Sequence, residues 1–185
     1  MTSKNFLRSS CLERRNALSD SVKKTAEQSF TANAFSLLNK KTQTLGVYFP
    51  VKSELNVLPL AKKLQKTGVC IALPCVIEPN SPLVFKKVDS FDSLSIGAFH
   101  IPEPPETAPV VIPNTILAPL TGFDRHGARL GYGAGYYDRT LAELENKPFF
   151  AGAAFCVQEC DEIPCEKTDF PLDCIVTEKE IIWIK

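Results

Sequence analysis

The chain has 185 residues, 44% of them hydrophobic and 23% charged, proportions that suit a soluble globular protein able to bury a sizeable core. Lysine plus arginine number 21, as do aspartate plus glutamate, so nothing in the balance suggests attraction to nucleic acid or to an anionic membrane surface. The first residues lack the apolar core of a signal peptide, no apolar run reaches bilayer-spanning length, and seven scattered cysteines make no disulfide framework, so a cytoplasmic protein is expected.

Residues 4–18 read as an amphipathic helix capped at Thr2 or Ser3. On the helical wheel Leu7, Cys11 and Leu18 share one stripe, and Lys4, Arg8 and Arg15 form a cationic stripe beside it. Such a stripe is either a solvated flank or an edge that meets an anion. A second helix runs to about residue 39 on the apolar spacing of Val22, Ala26, Phe30, Leu37 and Leu38. Residues 44–49 form a strand stopped by Pro50, residues 56–67 a helix stopped by Gly68, and residues 69–74 a second, wholly apolar strand. That unit predicts a right-handed crossover and parallel pairing. Glu54 falls just past the first strand, where open α/β sheets place their ligand crevices. It can meet a ligand there or simply favour the dipole of the next helix.

Residues 75–114 are proline-rich and irregular, with one strand at 83–88. Residues 115–118 form a short buried strand, 136–145 a helix, 149–157 a strand, 173–178 another strand end, and 181–184 a closing edge strand. The order predicts a single three-layer α/β domain over residues 1–185, with N-terminal helices at 4–39 and an α/β body at 44–185. Its sheet is expected to be mostly parallel and five- to six-stranded, with helices on both faces.

The densest stretch is 119–139, reading P-L-T-G-F-D-R-H-G-A-R-L-G-Y-G-A-G-Y-Y-D-R, which holds five of the nine glycines. Alternating glycines at 131, 133 and 135 permit positive φ and leave room for a ligand, so peptide N–H groups can turn inward to cradle phosphate. The following helix N-terminus adds its partial positive charge. Arg129 brings a guanidinium suited to phosphate oxygens, and Asp138 can hold a magnesium ion bridging them. The run fits neither the dinucleotide fingerprint nor the Walker pattern. Tyr136 and Tyr137 can position a ligand or pack into the core.

Gly122-Phe123-Asp124, Gly127 and the run from Arg129 through Leu130, Gly131, Tyr132, Gly133, Ala134, Gly135, Tyr136, Tyr137, Asp138 and Arg139 resemble the signature of the 5-formyltetrahydrofolate cyclo-ligases, also called methenyltetrahydrofolate synthetases. The resemblance extends from Lys4 to Glu178. It implies ATP- and magnesium-dependent conversion of 5-formyltetrahydrofolate to 5,10-methenyltetrahydrofolate, by phosphorylation of the formyl oxygen and ring closure with release of ADP and phosphate. It further implies that Lys4, Arg8 and residues 129–137 bind nucleotide, and that Arg129 and Tyr137 act in catalysis. Tyr48, Glu54, Phe99 and Tyr136 would bind folate, with Asp138 and Asp173 holding the metal. The partners expected are small molecules alone, a reduced folate and ATP, on a monomer. Ala134 departs from the glycine or basic residue common at its place, and three residues separate Gly97 from Ile101 where the family has a tighter Gly-Ile element. The alternatives are another ATP-dependent phosphotransferase on the same loop, against which Glu54 and Phe99 speak, and a non-catalytic folate-binding relative, against which Arg129 and Asp138 speak.

Overall fold

The computed structural model describes residues 3–184. Two helices open it, α1 (Lys4–Asn16) and α2 (Asp20–Leu38). The Ser3 and Ser19 hydroxyls cap them by accepting from the Phe6 and Val22 amides; Thr2, the other expected cap, lies outside the described residues. Next come β1 (Thr44–Val47), α3 (Leu58–Gln65), β2 (Cys70–Cys75) and β3 (Val84–Lys87). The irregular stretch contributes a small hairpin, β4 (Ser95–Ile96) with β5 (Pro102–Glu103). The rest is β6 (Thr115–Pro119), β7 (Gly122–Phe123), β8 (Arg129–Leu130), α4 (Tyr136–Glu143), β9 (Phe149–Ala153), β10 (Cys174–Val176) and β11 (Ile181–Trp183).

The main sheet runs β11-β10-β9-β6-β1-β2-β3. Its five inner strands are parallel and both edges are antiparallel, so the mostly parallel α/β arrangement is borne out. There are seven strands rather than five or six, because 84–87 and 181–183 both join the parallel five by hairpin pairing. Alternation along each strand explains the layers. Leu45, Val47, Leu117, Ala151, Ala153, Cys174 and Val176 face the core under α2 and α3, while Ile116, Ala118, Phe150 and Ile175 face the core under α4. Helices therefore cover both faces, and the inner strands read as nearly continuous apolar runs. Gly46 alternates onto the α4 side, where the Phe85 ring of β3 reaches over it and a Cβ would come within 2.6 Å of that ring. The third helical piece, α1, lies apart from these layers, with Cys11 packed on Leu130, Cys160 and Ile163 against the β7–β8 hairpin.

Candidate functional site

Between β6 and α4 the expected single loop is split by the β7–β8 hairpin, whose strands of two residues each are too short to leave a periodic signal. Asp124 organises its turn. It is 1% exposed, with one carboxylate oxygen accepting from the His126 and Ala128 amides and the other from the Ile163 amide. The chain then passes through residues 131–135, where no backbone N–H donates to another group among the described residues. The carbonyls there do have partners. Arg8 Nε donates to the Gly131 oxygen at 2.7 Å and Arg139 Nη2 to the Ala134 oxygen at 2.6 Å. With the Gly131 and Ala134 carbonyls tied to arginines, the amides of residues 131–135 are left free to meet an anion. Gly133 and Gly135 have φ of +97° and +67°, and Gly135 caps α4 without a side chain. Replacing Gly135 with alanine would force that angle on an L-residue and bring Cβ within 2.9 Å of Arg139 Nη1. A loss of about 1–2 kcal/mol in urea unfolding is expected; an unchanged midpoint would show that the loop relaxes freely.

A first group of side chains gathers beside this loop. Arg129, with its side chain 9% exposed, donates Nη2 to Asp138 Oδ1 at 2.6 Å and Nη1 to the Phe170 carbonyl, and its guanidinium lies 4.7 Å from the Phe150 ring centre. The Phe170 amide donates to the same Asp138 oxygen at 3.0 Å. The neighbouring Asp169 Oδ2 accepts from Lys4 Nζ at 2.7 Å, so the start of α1 is drawn to the segment that carries Phe170. Arg129, Asp169, Phe170, His126 and Cys165 line a cavity of about 280 Å³. Sequence reasoning missed Asp169, whose only signal was a carboxylate four residues before Asp173. Asp173 itself is placed elsewhere. It sits before β10 at the amino ends of the parallel strands, where its Oδ2 accepts from the Phe150 amide at 2.7 Å, a contact that ties β9 to β10 and shares no partner with Asp138. Among the described residues no group of three or more His, Cys, Asp or Glu could hold a metal ion.

The Lys4–Asp169 pair has a defined pH dependence. Burial lowers the Lys4 pKa, but hydrogen bonds to Asp169 and Glu166 outweigh it and leave the ammonium above its ordinary 10.5. Burial likewise raises the Asp169 carboxyl, but the bond and charge of Lys4, the Glu166 amide and the charge of Arg129 together outweigh it and leave the group below its ordinary 3.8. The contribution from the lowered carboxyl is present above 3.8 and is lost as pH falls through the depressed value. That from the raised ammonium is present below 10.5 and is lost as pH rises through the elevated one. Asp169→Asn is therefore expected to lower stability by less than about 1 kcal/mol at neutral pH, with the gap closing in acid. Urea titrations of both proteins at stepped pH would show it; a gap independent of pH would mean the pair is not ionic.

A second group lies past the end of β1. Glu54, 9% exposed, accepts from the Val51 amide at 2.9 Å. Burial raises its pKa, against opposing pulls from the Val51 amide, Arg15, the Tyr132 hydroxyl and Lys52. Tyr48 is 4% exposed and its hydroxyl is spent on the Leu55 carbonyl at 2.8 Å, so it offers a wall rather than a hydrogen bond. Tyr137 stacks on Phe150 at 6.3 Å, and burial, then the charge of Glu54, raise its phenol above the usual value. Tyr136 meets Phe99 edge-on at 6.4 Å, which brings the tip of the β4–β5 hairpin to the glycine loop. Phe99 is 69% exposed and both it and His100 have positive φ. Leu130 is 1% exposed with its side chain in the α1 core, so only its backbone faces the loop. Arg14 and Arg15 are also separated. Arg14 ties α1 to the Glu159 carbonyl, whereas Arg15 points into the second group.

A model described as the 5-formyltetrahydrofolate cyclo-ligase family matches residues 1–178. The 5-formyltetrahydrofolate cyclo-ligases of Haemophilus influenzae and Escherichia coli K12 are each 32% identical to the chain, over 80% of it and 82% of the relative in the first case and 75% and 79% in the second. Two solved 5,10-methenyltetrahydrofolate synthetases superpose on it. That of Aquifex aeolicus gives a TM-score of 0.84 at 32% identity, covering 98% of this chain and 93% of the other. That of Mycoplasma pneumoniae gives 0.78 at 26%, covering 96% and 99%.

Proposed function

The chain belongs to the 5-formyltetrahydrofolate cyclo-ligase family, and from that premise we propose that it converts 5-formyltetrahydrofolate to 5,10-methenyltetrahydrofolate with ATP and magnesium, releasing ADP and phosphate. The observation that carries the reading is the row of free amides at residues 131–135, set between the Lys4–Arg129–Asp138 group and the Glu54 group. Two ligands must meet in this reaction, and the loop has a chemically distinct group for each.

A formamide oxygen is a poor leaving group. Transfer of the γ-phosphoryl of ATP to it makes it a good one; the second folate nitrogen then attacks the formyl carbon and phosphate departs. Such transfer asks the protein mainly for in-line positioning and neutralisation of charge. Lys4, Arg8, Arg129 and the backbone of residues 130–137 would meet the triphosphate. Glu54 would accept hydrogen bonds from the amino and amide groups of the pterin, with Phe99, Tyr136 and the buried ring of Tyr48 as apolar walls. Asp138 and Asp169 each have one carboxylate oxygen engaged and the other without a hydrogen bond among the described residues. That suits a magnesium ion bound through one or two carboxylates and phosphate oxygens, where it would offset the charge of the phosphates. Tyr137, buried beside Arg129 and Glu54, would keep water from the reacting atoms.

The test is direct. Purified protein with 5-formyltetrahydrofolate, magnesium and ATP is expected to generate the absorbance of the conjugated methenyl product, and omission of ATP to abolish it. A flat trace from a protein that binds ATP would overturn the assignment.

A further inference from the structure

Among the described residues Arg15, 1% exposed, is the largest fully buried side chain, and none of their ion pairs includes it. A guanidinium held that way costs several kcal/mol unless its donors are satisfied. Each of its three nitrogens finds one partner, in three separate pieces of the site. Nε donates to Ser53 Oγ at 3.0 Å, Nη1 to the Leu120 carbonyl at 3.4 Å, and Nη2 to the Tyr132 hydroxyl at 3.1 Å. Ser53 immediately precedes Glu54, Leu120 follows the end of β6, and Tyr132 lies in the glycine loop.

The hydroxyl arithmetic gives this bridge a direction. A phenol has one proton to donate, and guanidinium can only donate, so Arg15 makes the Tyr132 oxygen an acceptor on that side. The phenol proton is left for another acceptor. No hydrogen bond from it to Glu54 forms among the described residues, but the Glu54 carboxyl, which burial raises, is pulled back down by both Arg15 and Tyr132. The ring of Tyr132 is 47% exposed and sits 5.5 Å from Lys52 Nζ, so the hydroxyl, not hydrophobic burial, ties this part of the loop to the Glu54 turn.

We propose that Arg15 is a positioning residue for the cyclo-ligase reaction: through Tyr132 and Ser53 it locks the phosphate-binding loop to the turn that carries Glu54, fixing the distance between the two substrates. The inference rests on the function proposed above. In-line transfer from ATP to a formyl oxygen demands that register, and a misplacement of about 1 Å costs on the order of 10²-fold in rate. Tyr132 thereby belongs to the bridge between the ligands as well as to the nucleotide loop.

The experiment compares wild type with Tyr132→Phe, Arg15→Lys and the double variant. Tyr132→Phe keeps the exposed ring and removes only the hydroxyl, so it folds whether or not Arg15 variants do. For each protein, kcat, the KM for ATP, the KM for 5-formyltetrahydrofolate, the pH profile of kcat/KM and the thermal midpoint are measured. Tyr132→Phe is expected to lower the midpoint while leaving the protein folded, since it takes one partner from the buried guanidinium, and, at a temperature where both proteins are folded, to lower kcat by about 10-fold or more while the KM for ATP changes less than about twofold and to move the acid limb of the profile to higher pH. Arg15→Lys should shift the same quantities, and the double variant should lose no more than the worse single. Losses that multiply, or a Tyr132→Phe enzyme with wild-type kcat and an unmoved acid limb, would overturn the bridge while leaving the reaction assigned. A wild-type protein that makes no methenyl product would overturn both.

Discussion

Arg129→Lys is expected to lower kcat/KM by about 10²- to 10³-fold, a loss of roughly 3–4 kcal/mol of transition-state stabilisation. The charge is conserved in this change, so the size of the effect follows from shape. Arg129 uses its fork to hold the Phe170 carbonyl and Asp138 Oδ1 at once, while its flat face lies 4.7 Å from the Phe150 ring centre. An ammonium has three donors but no planar fork, so it cannot hold these two partners in the guanidinium's geometry while laying a flat face on the Phe150 ring. It would leave Asp138, with its side chain 25% exposed, short of its strongest donor, and would loosen the Phe170 segment on which Asp169 and Lys4 meet. Stability should fall too, by about 2 kcal/mol, because a largely buried pair is being broken on one side. The two losses are separable. Denaturant titration reads the loss of stability, and kinetics at a temperature where both proteins are folded read the loss of kcat/KM. Arg129→Lys with activity within about twofold of wild type would remove Arg129 from the reaction and leave it a purely structural link between α4 and residue 170.

The main sheet was legible because its strands are nearly continuous apolar runs and its helices carry caps and 3.6-residue spacing, signals that depend only on neighbours in the chain. Ser3 and Ser19 at the helix starts, Gly68 after α3 and the apolar run at 115–118 all fall where such local rules put them. The glycine loop was legible for a related reason, since unusual φ demands glycine at fixed positions. What stayed hidden is long-range. Lys4 meets Asp169 across 165 positions and Arg15 meets Tyr132 across 117, and no spacing rule spans such separations. The same limit left Asp173 open between a metal contact and a structural aspartate, because a carboxylate at the start of a strand reads alike in both roles; in the fold its Oδ2 accepts from the Phe150 amide. Tyr48 shows a subtler version. It falls one residue beyond β1 rather than inside the strand expected over 44–49, and only the fold reveals that Leu55 takes up its hydroxyl.

Glu54→Gln separates binding from stability most sharply, since the two are expected to move in opposite directions. Burial is the largest influence on the Glu54 carboxyl and raises its pKa above 4.5 even after the Val51 amide, Arg15, Tyr132 and Lys52 have pulled it down. The folded state thus holds that proton more tightly than the unfolded chain does. Its stabilising effect is fully present below 4.5 and is lost as pH rises through the raised value, so at neutral pH the ionised group is a net cost. The attraction of Arg15 is already within that balance, and burial wins. Glutamine keeps an oxygen for the Val51 amide at the same place and removes the charge. The variant should therefore be at least as stable as wild type at neutral pH, with the difference shrinking as the pH is lowered into the carboxylate range. Its kcat/KM for 5-formyltetrahydrofolate should fall by about 10²-fold, because an uncharged amide accepts less strongly from a pterin and presents donors where the ligand also has donors. ATP affinity should be unchanged, since Glu54 lies in the group past β1 and not beside Arg129. A protein keeps a costly buried carboxylate where a ligand's donors repay it, and ligand-free stability against pH with folate turnover in the same two proteins tests that exchange. If Glu54→Gln loses stability at neutral pH and keeps its folate kinetics, the carboxylate is a structural cap of the turn and the pterin must find its acceptor elsewhere.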